Sequence, residues 1–336
     1  MTAPSTPQGI TLMTGNANRD LAAAVAGHLE IELGDMLVGQ FADGECKIRG
    51  RQNVRGDDLY MLQPTNQPDR NLTELRLMVG ATRSSANKIT AVIPYWGYAR
   101  QDRRDQPRVP ISVVDMVRTL VHTGIDGVVL LDLHAGQIVG IFEAFNPRLR
   151  VDHLYARPVI LDWLAEQDLS HATFMAPDIG SAKVVESYWK RGREFAPTIQ
   201  FGVSHKSGSS DAGVDDIKLL GHFDGQHVYI FDDMVSTAAT ANIATDAAKS
   251  LGASAVTFVA NHPVLANHDV ARRIAEGSID HFVTTDTIPI GDEDRTILGP
   301  KLTQLSVARL LALAIQQLHE DGSMTALFEL EGYRAG

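Results

Sequence analysis

The sequence predicts an α/β protein of two domains, each built on a mainly parallel sheet with helices on both faces. Three observations predict it. Strand-like and helix-like apolar patterns alternate along most of the 336 residues, which is the signature of parallel sheets. The strand segments read as near-continuous apolar runs, so both sheet faces are covered. The alternation starts over near Val151–Pro158, and the length suits two domains of ordinary size.

The elements follow in order. Residues 9–12 read as a strand and 18–29 as a helix. Residues 40–51 read as a hairpin around Asp43-Gly44, because Asp-Gly supplies the turn that a short hairpin needs. A strand over 59–63 precedes a helix over 71–85. A buried strand over 89–94 precedes a helix over 111–123, and a Val- and Leu-rich strand spans 127–133. The second half repeats the pattern: helix 156–166, strand 172–176, helix 181–191, strands 198–203 and 227–231, helix 237–250, strand 255–260, helix 268–276 and strand 280–284. A last helix over 306–318 returns to the first domain. The expected domains are 8–155 with 303–320, and 156–302. Residues 1–7 and 321–336 are expected to be flexible or peripheral.

Composition excludes several classes. The net charge of −11 lacks the basic footprint that nucleic-acid binding needs. One cysteine, Cys46, leaves no internal disulfide and fits a reducing, cytoplasmic setting. The polar start Met1–Pro7 does not read as a signal peptide, and no apolar run is long enough to span a membrane. The sequence carries neither the glycine fingerprint of dinucleotide dehydrogenases nor the P-loop of nucleoside-triphosphate kinases.

Ligands of open parallel sheets gather beyond the carboxyl ends of the strands, and polar clusters stand at four such ends. After 227–231 come Asp232 and Asp233, then Ser236, Thr237, Ala238, Ala239 and Thr240 before a helix. Free N–H groups at a helix start suit phosphate, and the two acids suit ribose hydroxyls or Mg2+ beside it. A solvated turn with Ser236 or Thr237 as N-cap is the alternative. After 89–94 comes Tyr95-Trp96-Gly97-Tyr98-Ala99-Arg100-Gln101-Asp102-Arg103-Arg104. Its rings suit stacking on a base and its guanidinium groups suit phosphates. His134 follows Leu131-Asp132-Leu133, and Asp178 follows Pro177. His134 is either a hydrogen-bonded structural residue or a metal or phosphate ligand, and Asp178 either caps a helix or binds a ligand. Phe41 at the hairpin tip has no burial partner in its own hairpin, and a subunit contact would supply one. Lys206 opens a Gly/Ser-rich stretch, either a linker or a lid over 204–213 that carries the lysine to a reacting phosphoryl group.

Taken in this order, the clusters resemble the ribose-phosphate diphosphokinase (phosphoribosyl pyrophosphate synthetase) family over about residues 9–320. The most specific pieces are Tyr95–Asp102 and Pro110-Ile111-Ser112. Phe41–Glu45, Leu131–His134, the Asp232-Asp233 turn and Gln304-Leu305-Ser306-Val307 support them. The resemblance implies two domains of phosphoribosyltransferase type in dimers and usually hexamers. It implies transfer of the diphosphoryl group of ATP to the anomeric hydroxyl of ribose 5-phosphate, with Mg2+ and release of AMP. By it, Phe41, Asp43 and Glu45 reach the ATP site of a neighbouring subunit, and Arg100, Gln101 and Asp102 bind the nucleotide. His134 holds Mg2+, and Asp178 holds Mg2+ or a ribose hydroxyl. Asp232 and Asp233 bind the ribose, residues 236–240 bind the 5-phosphate, and Lys206 is the lysine of the catalytic lid. The sequence departs from the family pattern at Ser207 and Gly208 (usually arginines), Ser236 (an acid), Ala239 (glycine), Ile179 (often histidine) and Trp96 (tyrosine). These departures leave two alternatives open: a non-catalytic associated subunit co-assembling with an active paralogue, and an enzyme with a changed sugar acceptor or an ordinary phosphoribosyltransferase.

Overall fold

The computed structural model describes residues 9–206, 217–329 and 333–334. Residues 207–213 of the expected lid, the side chains of His205 and Lys206, and residues 1–7 lie outside the described residues. The chain divides into two compact units. One takes the chain through Ala156 and again from Ser306, and the other takes Arg157–Leu305.

In the first unit, β1 (Ile10–Thr14), β4 (Asp58–Leu62), β5 (Lys88–Ile93), β6 (Gly127–Leu131) and β7 (Arg150–Leu154) form one parallel sheet in that order. Pleating sends alternate residues to opposite faces. Ile89, Ala91 and Ile93 of β5 therefore join one apolar cluster with Leu75, Met78 and Val79 of α2 (Arg70–Thr82). The same cluster takes Val113, Val117 and Leu120 of α3 (Ser112–Val121) and Phe142 of α4 (Ile138–Phe145). Elsewhere in this unit, α1 (Arg19–His28) packs against α10 (Ala308–His319). Asn18 caps α1 by accepting the Leu21 N–H. The hairpin β2 (Met36–Gln40) and β3 (Cys46–Gly50) is a separate antiparallel pair. The chain end from residue 321, expected to be flexible or peripheral, is packed over its described part. Met324–Phe328 forms a 3-10 helix that buries Leu327, and Phe328 meets Tyr155 edge-on.

The second unit is a seven-stranded sheet in the order β10 (Ile217–Leu220), β9 (Gln200–Lys206), β8 (Ala172–Ala176), β11 (His227–Val235), β12 (Ala255–Pro263), β13 (His281–Thr285) and β14 (Leu302–Leu305). All pairs are parallel except β9–β10. Val228, Ile230, Phe258 and Ala260 pack against Ala241, Ala244 and Ala248 of α7 (Ala239–Ser250) and Ile274 of α8 (His268–Glu276). The alternate residues Phe174 and Phe231 face each other, and Tyr188 of α6 (Ala182–Phe195) stacks on Phe231 at 4.7 Å. Both faces are thus covered, as the apolar runs require. From β8 the chain moves outward to β9, whereas from β11 it moves the other way to β12. The order reverses between β8 and β11, which makes their carboxyl ends the switch point where such sheets bind ligands.

Five elements were not foreseen: α4, β7, β10, α9 (Asp292–Leu298) and β14. They have eight, five, four, seven and four residues. Each is too short for its periodicity to show, and β7, β10 and β14 are sheet edges with little apolar demand. Among the described residues, no helix is long and apolar enough to cross a membrane.

Candidate functional site

At the switch point of the second unit, β11 does not stop at Phe231. It continues in register with β12 as far as Val235 and Pro263, so Asp232 and Asp233 lie within the strand rather than beyond it. The Asp233 N–H donates to Asp232 Oδ1 at 2.9 Å. Burial pushes the Asp232 carboxyl up to about 8, and the charges of Asp233 and Asp178 push the same way. Carboxylates from two neighbouring strands thus place like charge near Asp232. Asp178 does not cap α6, whose N-cap is Ser181, but closes the turn before it: its Oδ1 accepts the Ser181 N–H at 2.8 Å and the Ser181 hydroxyl at 3.0 Å.

The segment between β11 and α7 differs from the expected cap. The N-cap is Ala238, with a left-handed φ of 60° and no side-chain cap bond. Neither Ser236 nor Thr237 closes the helix start; Thr237 Oγ1 has only a long 3.5 Å contact with the Ala239 N–H. The first-turn N–H groups of α7 therefore remain available to an anion, reinforced by the helix dipole. The left-handed residue is Ala238 and not Ala239, so the alanine standing in place of glycine at 239 carries no backbone strain. Ala238 does, at roughly 1 kcal/mol. Such local strain is tolerated where surrounding structure fixes the turn.

In the first unit, the hairpin tip is exposed. Phe41 is 48% exposed, with Lys47 Nζ 5.3 Å from its ring centre. Its N–H donates to the Glu45 carbonyl at 2.8 Å, and Gly44 takes the left-handed φ of 96°. Asp43 Oδ1 accepts the Glu45 N–H at 3.1 Å, and Asp43 and Glu45 are both exposed.

The aromatic loop corrects the stacking expectation for two of its three rings; Tyr98 is half-buried, with its hydroxyl donating to Asp69 Oδ1 at 2.6 Å. Tyr95 and Trp96 are buried, and Trp96 meets Phe142 edge-on at 5.2 Å inside the core, so neither ring offers a face to a base. An aromatic run is excluded from water, and here the core of the same unit takes it up. Arg100, Gln101, Arg103 and Arg104 are exposed, and Asp102 is half-buried. Gln101 is oriented by α3: its Oε1 accepts the Ser112 hydroxyl, and its carbonyl accepts the Val113 N–H at 3.4 Å. Asp102 accepts from the Gln137 amide just before α4.

His134 is exposed after β6. Nearby, His153 Nε2 accepts the Leu133 N–H at 3.0 Å. Burial pulls His153 down to about 4. Its neutral form is therefore favoured in the fold, while an unfolded histidine protonates below about 6.5. Stability is complete above that value and falls as pH drops from about 6.5 towards 4, by roughly 2 kcal/mol for a partly exposed ring. His153→Gln is expected to lose less melting temperature than the wild type between pH 7.5 and pH 5. An equal loss in both proteins refutes this.

The sequence did not single out Glu74, which is 1% exposed. The available signal was a carboxylate among Asn71, Leu75, Met78 and Thr82 on the buried face of α2. Its hydrogen bonds reach Asn16, Gln63 and Arg70. Among the described residues, no three His, Cys, Asp or Glu side chains gather into a metal-binding group.

Two family models match. The N-terminal domain of ribose phosphate pyrophosphokinase covers residues 10–124, and the phosphoribosyl synthetase-associated domain covers residues 171–329. The ribose-phosphate pyrophosphokinase of Bordetella parapertussis is 39% identical, over 94% of this chain and 99% of its own. That of Neisseria meningitidis serogroup A is 37% identical, over 96% and 95%. The crystal structure of phosphoribosylpyrophosphate synthetase from Mycobacterium smegmatis superposes with a TM-score of 0.84 at 31% identity, over 94% of this chain and all of that one.

Proposed function

Because the chain belongs to the ribose-phosphate pyrophosphokinase family, we propose that it moves the diphosphoryl group of ATP to the anomeric hydroxyl of ribose 5-phosphate. The anomeric oxygen forms a bond to the β-phosphorus, the bond between that phosphorus and the α-phosphate bridge breaks, AMP leaves and the hydroxyl proton is released. The observation that carries the reading is the start of α7, whose uncapped first turn follows Asp232 and Asp233 at the switch point.

In this reading the N–H groups of residues 236–240 hold the 5-phosphate, and Asp232 and Asp233 accept from the ribose hydroxyls. Arg100, Gln101 and Asp102 bind ATP. Phe41 supplies a stacking face, with Asp43 and Glu45 beside it, to the ATP of a neighbouring subunit in a homo-oligomer. Lys206 neutralises charge that develops on the transferred group. The donors fit Mg2+: the carboxylate of Asp178 adds its charge to that of Asp233 around the Asp232 carboxyl, which burial first of all pushes up, a place short of positive charge. Mg2+ keeps few protein ligands and takes the rest from phosphates and water. Asp178 would hold it together with phosphate and water oxygens, and when bound it supplies charge neutralisation at the phosphoryl oxygens. The protein's own task is then alignment and electrostatic stabilisation, as phosphoryl transfer requires.

The test is AMP formation from ATP in the presence of Mg2+. AMP is expected only when ribose 5-phosphate is added. No AMP above the no-sugar control, over a range of Mg2+, rejects the proposal.

A further inference from the structure

The hairpin that carries Phe41, Asp43 and Glu45 has a structural problem. It pairs with neither main sheet, and a lone two-stranded hairpin is marginal in water. Met36 and Val38 bury their side chains against α2 and the sheet, and Ile48 packs beside them. These apolar contacts give adhesion but no register, since they are not directional. Register comes from two hydrogen bonds to adjacent carbonyls of β2. Asn16 Nδ2 donates to the Val38 carbonyl at 3.2 Å, and an Arg70 guanidinium N–H donates to the Gly39 carbonyl at 3.4 Å. Gly39 lies two residues before Phe41.

Both donors are set by Glu74. Its Oε1 accepts Asn16 Nδ2 at 3.0 Å and Arg70 Nε at 3.3 Å. Its Oε2 accepts the Asn16 backbone N–H at 3.0 Å and Gln63 Nε2 at 3.2 Å. Four donors from the segment after β1, the end of β4 and α2 thus meet one buried carboxylate. A buried carboxylate is tolerated only when it is satisfied in this way, and charge-assisted bonds hold their donors more rigidly than neutral ones. Gln63 is fully buried and is fixed in turn by the Asn71 carbonyl at 3.2 Å.

We propose that Glu74 is a positioning residue. Through Asn16 and Arg70 it clamps β2 just before the Phe41–Glu45 tip, and so sets the reach of that tip towards the ATP it serves. This rests on reading the tip as an ATP contact. The carboxylate is required, not merely a polar group of that size. Each oxygen accepts from two donors, so a glutamine in either orientation turns an NH2 towards two N–H groups.

The test compares Glu74→Gln and Arg70→Met with the wild type and with Phe41→Ala. Arg70 is partly exposed, so Arg70→Met preserves folding should Glu74→Gln not. Amide exchange over 36–40 and 46–50 is expected to quicken about tenfold or more in both variants while β4 and β5 keep their protection. The KM for ATP is expected to rise about tenfold with kcat and the KM for ribose 5-phosphate within about threefold, the split of a lost binding contact. Unchanged hairpin exchange overturns the clamp itself. Faster exchange with an unmoved KM for ATP, where Phe41→Ala does raise it, overturns the link from clamp to binding. If Phe41→Ala also leaves the KM for ATP unmoved, the reading of the tip is what fails.

Discussion

Lys206→Ala is expected to lower kcat by about 10²–10³-fold and to leave the KM for ATP within about threefold. The expectation comes from where charge changes during the reaction. In the ground state the triphosphate is already solvated and partly neutralised, so a lysine near it adds little to binding. As the bond to the α-phosphate bridge breaks, charge accumulates on the departing AMP and the transferred oxygens, and a cation placed there stabilises only that moment. The family pattern usually places two arginines after this lysine, whereas this chain has Ser207 and Gly208. In the proposed reading one cation carries what three would share, so its removal should be felt in full. Lys206 is also the last residue of β9, paired in backbone register with Ile217 of β10, so its start point is fixed by the sheet. Steady-state kinetics on the variant, with ATP varied at saturating ribose 5-phosphate, decide it. Equal losses in kcat and ATP affinity contradict a transition-state role.

Gly97→Ala is expected to cost about 3 kcal/mol of stability, at the upper end for an overpacked site. Gly97 lies where the segment after β5 crosses the segment after β4. Its N–H donates to Thr65 Oγ1 at 2.8 Å, and the Thr65 N–H donates to the Tyr95 carbonyl at 2.9 Å. A Cβ at Gly97 would stand 2.3 Å from the Thr65 carbonyl oxygen and 3.2 Å from its carbon. Both are backbone atoms of a buried residue tied to Tyr95 by that hydrogen bond, so they cannot swing away. Relief must come from lifting the Tyr95–Arg100 segment, which would pull Trp96 from its contact with Phe142 and shift Arg100 and Gln101. Gly80 in α2 is the control. A Cβ there meets nothing within 4 Å, and alanine in a helix interior is favoured over glycine by about 0.5–1 kcal/mol. Denaturant unfolding should therefore move in opposite directions for the two variants. A Gly97→Ala midpoint within about 1 kcal/mol of the wild type refutes the argument.

The α/β class was legible because long apolar strands separated by helical spacing have no other stable arrangement. The hairpin was legible from Asp43-Gly44, since the left-handed Gly44 is what that dipeptide supplies. The candidate residues in and after β11 and after β5 stand out in the sequence as acids, hydroxyls and arginines grouped near strand ends. Trp96 misled for a physical reason. A ring in a polar stretch is attracted equally to a ligand base or to a neighbouring core, and only the position of Phe142 on α4, itself too short to foresee, chooses between them.

What the sequence by itself determined is the menu of local states: which runs form strands, which turns need glycine, which ends collect charge. These follow from covalent geometry and periodicity, which act over a few residues. What only the tertiary structure decided are relations between residues far apart in the chain. Strand order buried Asp232 and set Asp233 and Asp178 near it, and burial above all raised its carboxyl. The continuation of β11 alongside β12 drew both acids into the sheet, and packing of α2 over the ends of β1 and β4 turned Glu74 into an anchor for a hairpin that precedes it by some thirty residues. Such relations depend on desolvation and on donors meeting acceptors in three dimensions, and no spacing along the chain encodes them.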